Sequence, residues 1–232
     1  MQRNQSWKNC LNVRDLGGLK TRTGSQTKWR SFVRADSLDR LTREGFQQLQ
    51  QYGVTTIIDL RDEREVAADR LPPPNGIARM HLPLEDQKDQ EFWKKWQSYN
   101  CTPLYYKAFL AHSPERVAEV FSAIADATDG GIVFHCGSGR DRTGLIAILL
   151  LLLGQVLREE IVADYELSAQ NLKPLGRSNE EQIIAEALAR HRTTLSAVVQ
   201  ELLENFNVEG YLLQAGITTA QTSRIRDRLI NS

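Results

Sequence analysis

Nine consecutive apolar side chains, residues 145–153, follow a turn carrying Gly137 and Gly139, and that turn follows the short apolar run Ile132, Val133 and Phe134. A membrane span needs about twenty apolar residues, so a run of nine predicts a helix buried in a protein core. Strand, glycine-rich turn and buried helix in that order place the chain in the α/β class. The flanking pattern agrees. Thr42 caps a predicted helix over residues 42–52, and the β-branched run at residues 54–60 predicts a buried strand after Gly53. Residues 77–82 predict another strand. Ser113, Pro114 and Glu115 start a helix whose apolar face is Val117, Val120, Phe121 and Ile124. The expected architecture is a central, mostly parallel sheet flanked by helices, with a helical C-terminal portion. Beyond Gly154 the predicted elements are helices at residues 158–168, 180–191, 193–205, 208–215 and 218–230. Within them Leu195, Val198, Val199, Leu202, Leu203 and Phe206 recur at helical spacing and mark a docked face.

The 232 residues show no internal repeat and one strong breaker cluster, at residues 72–76, so a single domain over residues 1–232 is expected. The 29 basic and 29 acidic side chains cancel, which leaves no global attraction to nucleic acid or anionic lipid. Any anion-binding surface must be local, and nucleic acid is not the expected partner. Cys10, Cys101 and Cys136 are an odd number without a CxxC pair, which argues against a disulfide framework and a zinc site. With no secretory pattern at the N-terminus and no membrane span, a reducing, cytoplasmic setting is expected. Residues 86–112 hold Phe92, Trp93, Trp96, Tyr99, Tyr105, Tyr106 and Phe109, seven of seventeen aromatics. Core packing is the first reading of that cluster, and a lid over a site is the second.

The turn between strand and helix is where chemistry concentrates. Small residues let the backbone curl so that successive N–H groups of Gly137, Ser138 and Gly139 point inward. The following helix adds unpaired donors and its positive dipole end, a combination suited to phosphate or sulfate. Arg142 offers a planar fork for two of the anion's oxygens, which lysine could not reproduce. The same donors favour thiolate over thiol at Cys136, making it a nucleophile aimed at the anion's central atom. Cys10 and Cys101 lack such neighbours and read as structural or incidental. The run Arg61, Asp62, Glu63, Arg64, Glu65 reads as a solvated helix face.

The stretch His135-Cys136-Gly137-Ser138-Gly139-Arg140-Asp141-Arg142-Thr143-Gly144 resembles the signature of cysteine-dependent protein tyrosine and dual-specificity phosphatases. The resemblance extends to residues 12–18, 34–38 and 58–61, and to the segment from Tyr211 to Leu229, as in the bacterial and fungal branch of these enzymes. Residues 86–112 are poorly covered by it. It implies a phosphomonoester hydrolase working through a phosphocysteine, with no cofactor and no metal, on a phosphorylated protein or a phosphoinositide. In that scheme Cys136 attacks phosphorus, and Arg142 binds the equatorial oxygens with the loop of Gly137, Ser138, Gly139, Arg140, Thr143 and Gly144. Thr143 donates to the sulfur, and His135 orders the loop. The branch carries an aspartate at the position of Asp141, the implied general acid, although Arg142 and the helix dipole favour its ionised form. Asp86 and Asp59 are rivals. Arg140 stands where the branch often has lysine, and it keeps a charge that a second substrate anion could meet. Arg14 and Asp15 are read either as an ion pair or as residues beside the site. A rhodanese-like or arsenate-reductase-like sulfur enzyme and a non-catalytic phosphate-binding module are the alternatives.

Overall fold

The computed structural model describes residues 1–66, 72–99, 101–176 and 178–230. Five strands among them form one sheet: β1 (Arg14–Asp15), β2 (Phe32–Ala35), β3 (Val54–Asp59), β4 (Ala78–His81) and β5 (Gly131–His135). Their spatial order is β1-β2-β5-β3-β4, with β1 antiparallel to β2 and every other pairing parallel. The two central strands, β3 and β5, carry apolar residues on both faces and are almost wholly buried, as a doubly covered parallel sheet requires. Neither β1 nor β2 is predicted by periodicity. Two and four residues with arginines among them are too short for an alternation to register.

Helix α1 (Arg43–Tyr52) begins at Thr42, whose hydroxyl accepts from the Gly45 N–H, and ends at Gly53 with φ of 99°. It covers one face of the sheet, where Phe46 and Leu49 join Trp7, Val33, Val54, Ile57 and Val133. On the opposite face lies the run of nine apolar residues, as helix α6 (Arg142–Leu153). To label the intervening helices in chain order, α2 is Glu63–Val66, α3 Gln90–Trp96, α4 Tyr106–His112 and α5 Pro114–Asp126. Proline opens α5 at its first turn as expected, but Ser113 makes no side-chain cap bond. Beyond α6 come α7 (Arg158–Leu172), α8 (Ser178–Arg190), α9 (Leu195–Asn205), α10 (Val208–Gln214) and α11 (Thr219–Leu229). Val199, Leu202 and Leu203 of the predicted stripe are buried in the same core as α6.

Tyr105, Tyr106 and Phe109 are buried in that core too, and Phe92 packs edge-on against Phe109 at 6.3 Å between centroids. Asn100, within the aromatic segment, lies outside the described residues. No helix among the described residues is long and apolar enough to cross a membrane. Because β2, β3, β4 and β5 run in the same direction, their C-terminal ends open onto one edge. That edge is where ligand sites of parallel sheets form.

Candidate active site

The turn from β5 to α6 lies at this edge, between the ends of β2 and β3. Its three carbonyls at residues 137–139 are each claimed from outside. The Ser37 N–H donates to Gly137 O at 3.0 Å, the Asn12 side-chain amide to Ser138 O at 3.0 Å, and Arg34 Nη2 to Gly139 O at 2.8 Å. With the carbonyls fixed outward, the N–H groups of residues 137–141 have no acceptor among the described residues. A bend of consecutive unpaired donors is an anion-binding concavity. Gly139 makes it possible. Its φ is 69°, and a Cβ there would come within 2.4 Å of the Ala35 carbonyl oxygen. Gly139→Ala should therefore lower the melting temperature and the turnover together, the strained φ alone costing about 1–3 kcal/mol. Unchanged thermal unfolding in that variant would contradict the close approach.

Beneath the loop lies a buried ionic cluster. Arg14 Nε donates to Asp164 Oδ1 at 3.0 Å and Arg14 Nη1 to Asn12 Oδ1 at 2.5 Å, while Arg34 Nη1 donates to Asp164 Oδ2 at 2.6 Å. Arg3 adds a third guanidinium to Asp164 from the side. Burial pushes the Asp164 carboxyl up, but Arg14, Arg34 and Arg3 outweigh it and hold the group well below the usual carboxylate range. Arg14, buried beside Arg34, falls to about 9. Arg14 thus supports the loop through Asn12 and through the Asp164–Arg34 link. Asp15 does not pair with it. Its carboxylate accepts from the Gly17 N–H at 2.6 Å, the Arg30 N–H at 2.7 Å and the Tyr52 hydroxyl, none of them part of the loop.

The His135 Nδ1 lies 3.3 Å from the Cys136 carbonyl, and Nε2 is 3.7 Å from Asp59 Oδ2. Burial pushes the ring's pKa down, favouring the neutral imidazole. Cys136 follows at the start of the loop and is buried. The Thr143 hydroxyl is also buried and has no hydrogen-bond partner among the described residues, so it does not donate to the sulfur here.

A family model described as the tyrosine phosphatase family matches residues 5–231. The chain belongs to the tyrosine phosphatase family. A tyrosine-protein phosphatase of Nostoc commune is 30% identical over 217 residues, 86% of this chain and 74% of that one. The triple specificity protein phosphatase PtpB of Mycobacterium tuberculosis is 26% identical over 249 residues, 85% and 90% of the two chains. Among solved structures, P. aeruginosa TpbA superposes with a TM-score of 0.43 at 13% identity, covering 85% of this chain and 100% of that one. Family membership sets aside the sulfur-enzyme and non-catalytic readings.

The phosphatase's loop opens into a cleft of about 720 Å³ lined by Gly137, Ser138, Asp141 and Arg142 together with charged residues of its walls. No aromatic residue lines it among the described residues, so the aromatic segment does not supply a ring-stacking wall. That segment contributes hydroxyls instead. Tyr106 donates to the Asp141 carbonyl at 2.9 Å, and Tyr105 donates to Glu85 Oε1 at 2.6 Å.

The candidate acids differ sharply in setting. Asp141 lines the cleft, with its Oδ1 buried and unpartnered, and it makes no cap bond to α6. Burial raises its pKa to about 7; Arg140 and Arg142 oppose the shift, and Glu85 and Glu180 reinforce it. The helix-dipole objection thus loses to desolvation. Asp86 is half-exposed, accepts from the Lys88 N–H at 2.9 Å and does not line the cleft. Asp59 holds Arg61 at 2.8–2.9 Å and Arg79 at 2.7 Å, and despite burial these cations keep it ionised.

Two carboxylates that sequence reasoning missed hold Arg142. Glu65 accepts from Nη1 at 2.5 Å and from Nη2 at 2.9 Å, and Glu85 Oε2 is 3.5 Å from Nε. The 61–65 run is therefore no simple solvated face: Arg61 is buried on Asp59, and Glu65 reaches the loop. Glu85 adjoins the predicted Asp86, and only the turn after β4 decides which of the two is buried. Cys101 also lines the cleft, its thiol pKa pushed up by burial. Among the described residues no group of three or more His, Cys, Asp or Glu side chains is arranged to hold a metal ion.

Proposed function

We propose that the protein hydrolyses phosphotyrosyl side chains, with Cys136 as nucleophile, the loop and Arg142 as phosphate cradle, and Asp141 as general acid. The observation that carries this reading is the run of unpaired N–H groups at residues 137–141 following Cys136. An incoming phosphate dianion takes those donors and exchanges with Glu65 for the fork of Arg142. The Cys136 thiolate attacks phosphorus in line and the ester bond breaks, while Asp141 passes its proton to the leaving oxygen. Water, deprotonated by the Asp141 carboxylate, then displaces phosphate from the phosphocysteine. In this reading the Thr143 hydroxyl, which has no hydrogen-bond partner among the described residues of the free enzyme, turns to donate to the returning thiolate. The name of the Nostoc commune relative supports a tyrosyl substrate and that of the Mycobacterium tuberculosis relative a phosphorylated protein, and cysteines outside any disulfide support a reducing, cytoplasmic setting.

Leaving-group dependence tests the acid. On phenyl phosphate, Asp141→Asn should lower kcat by about 10²–10⁴-fold, and far less on an activated aryl ester that hardly needs the proton. An acid must be protonated to act, so wild-type kcat/KM, which reports the free enzyme, should fall as pH rises through about 7, and the Asn variant should lose that limb. Glu85→Gln, the buried rival, should show no such selectivity. The opposite pattern moves the proton donor to Glu85.

A further inference from the structure

The loop's second arginine is not open to substrate. Arg140 is 3% exposed, and its Nη1 lies 3.4 Å from Oε1 of Glu180, on the first turn of α8. Glu180 lines the cleft and Arg140 does not, so a molecule bound in front of the loop meets the carboxylate rather than the guanidinium it pairs with. Arg140 Nε and Nη1 are buried without a hydrogen-bond partner, so the pairing is by charge alone. Such a group has unused donor capacity that a bound anion would satisfy.

Three of the four cations that line the cleft among the described residues are already engaged. Arg61 is held by Asp59 at 2.8 Å, Arg64 by Asp62 at 2.8 Å and Arg142 by Glu65 at 2.5 Å, while Arg40 is exposed at the rim beside Asp39. Asp39, Asp62, Glu65, Glu85, Asp141 and Glu180 contribute carboxyl groups to the same walls. One phosphate can displace Glu65 because the loop N–H groups come with Arg142. A second anion on the same substrate has no comparable cradle and meets like charge instead.

We infer that Glu180 is a specificity-determining residue, which by screening Arg140 confines the phosphatase to esters carrying a single phosphate, such as one phosphotyrosine in a peptide, and excludes polyphosphorylated substrates. This rests on the phosphotyrosyl reading above and narrows it. Glu180 acts on the substrate's second charge through Arg140, while its influence on Asp141 is common to the two peptides and cancels in their ratio.

The test compares kcat/KM at pH 6, below the Asp141 limb, on three probes. These are a peptide with one phosphotyrosine, the same peptide with an adjacent phosphoserine, and a soluble short-chain phosphoinositide with two ring phosphates. The wild type should prefer the singly phosphorylated peptide by about tenfold or more over both others. Glu180→Gln should narrow that preference by about tenfold, and Glu180→Asp, which keeps the charge, should retain most of it. Combining Arg140→Gln with Glu180→Gln should restore the preference. If that pair does not melt cooperatively, the contrast between Glu180→Gln and Glu180→Asp still decides. A wild type that handles either doubly charged probe as well as the singly phosphorylated peptide overturns the inference, as does a preference indifferent to Glu180→Gln. Absence of Cys136-dependent hydrolysis of all three probes overturns the phosphotyrosyl reading itself.

Discussion

Cys136→Ser is expected to reduce turnover by about 10⁴-fold or more while leaving phosphate binding in place, because a nucleophile that acts as one unit with its neighbours cannot be replaced piecemeal. Serine fills nearly the same buried volume, so the loop, pinned by Ser37, Asn12 and Arg34, should keep its form. Its hydroxyl, however, is not ionised near neutral pH, and the donors that favour a thiolate cannot draw out an alkoxide. Isothermal titration with inorganic phosphate should show affinity within a few-fold of wild type. Arg142→Lys should lose both turnover and affinity, since a point charge cannot replace the fork that now grips Glu65 at 2.5 and 2.9 Å. Appreciable hydrolysis by purified Cys136→Ser would remove Cys136 from the nucleophile's role, and near wild-type kcat in Arg142→Lys would remove the bidentate cradle.

Local features of this chain were legible because their signals are local. The strand, turn and helix around Cys136 announce themselves by an apolar run, two glycines and an arginine at fixed offsets, and Gly139 proves necessary for the reason glycine usually is, a positive φ against neighbouring backbone. What stayed hidden is what depends on distant partners. Asp164 meets Arg14 across 150 positions of sequence, and nothing near either residue says so. Asp141 is a sharper case. Its sequence neighbours Arg140 and Arg142 argue for an ionised group, and the opposite outcome arises from burial beside Tyr105, Tyr106 and Tyr165, brought there by the turn before α4, by α4 and by α7. Charges weighed without the dielectric around them argue against Asp141, and only the family resemblance pointed to it as the acid. Asp86, the rival carboxylate of the sequence reading, and its neighbour Glu85 pose the same problem, because adjacent carboxylates differ only in which way a loop turns them.

Asp164→Ala should be among the most destabilising single substitutions available to this protein, by about 3–5 kcal/mol, the range for removing one partner of a buried ion pair. Asp164 is the carboxylate between Arg14 and Arg34, both fully buried, with Arg3 alongside. Alanine would leave two desolvated guanidiniums facing each other without a counter-charge, against a total stability of about 5–15 kcal/mol for a typical domain. The damage should also be functional, because Arg34 uses its other nitrogen to hold the Gly139 carbonyl, and Arg14 orients Asn12, which holds Ser138. Urea unfolding followed by circular dichroism should show the lower midpoint, and any folded fraction should turn over poorly. Acid sensitivity follows from the same pairing. The folded-state pKa of Asp164 is depressed, so its contribution is present above the unfolded value of 3.8 and is lost as pH falls from there through the folded value. Asp164→Asn keeps the shape but not the charge, so it should be unstable at neutral pH and nearly flat where the wild type loses stability in acid. A midpoint for Asp164→Ala within about 1 kcal/mol of wild type would mean that water reaches these arginines, and the loop's support would then have to come from the sheet alone.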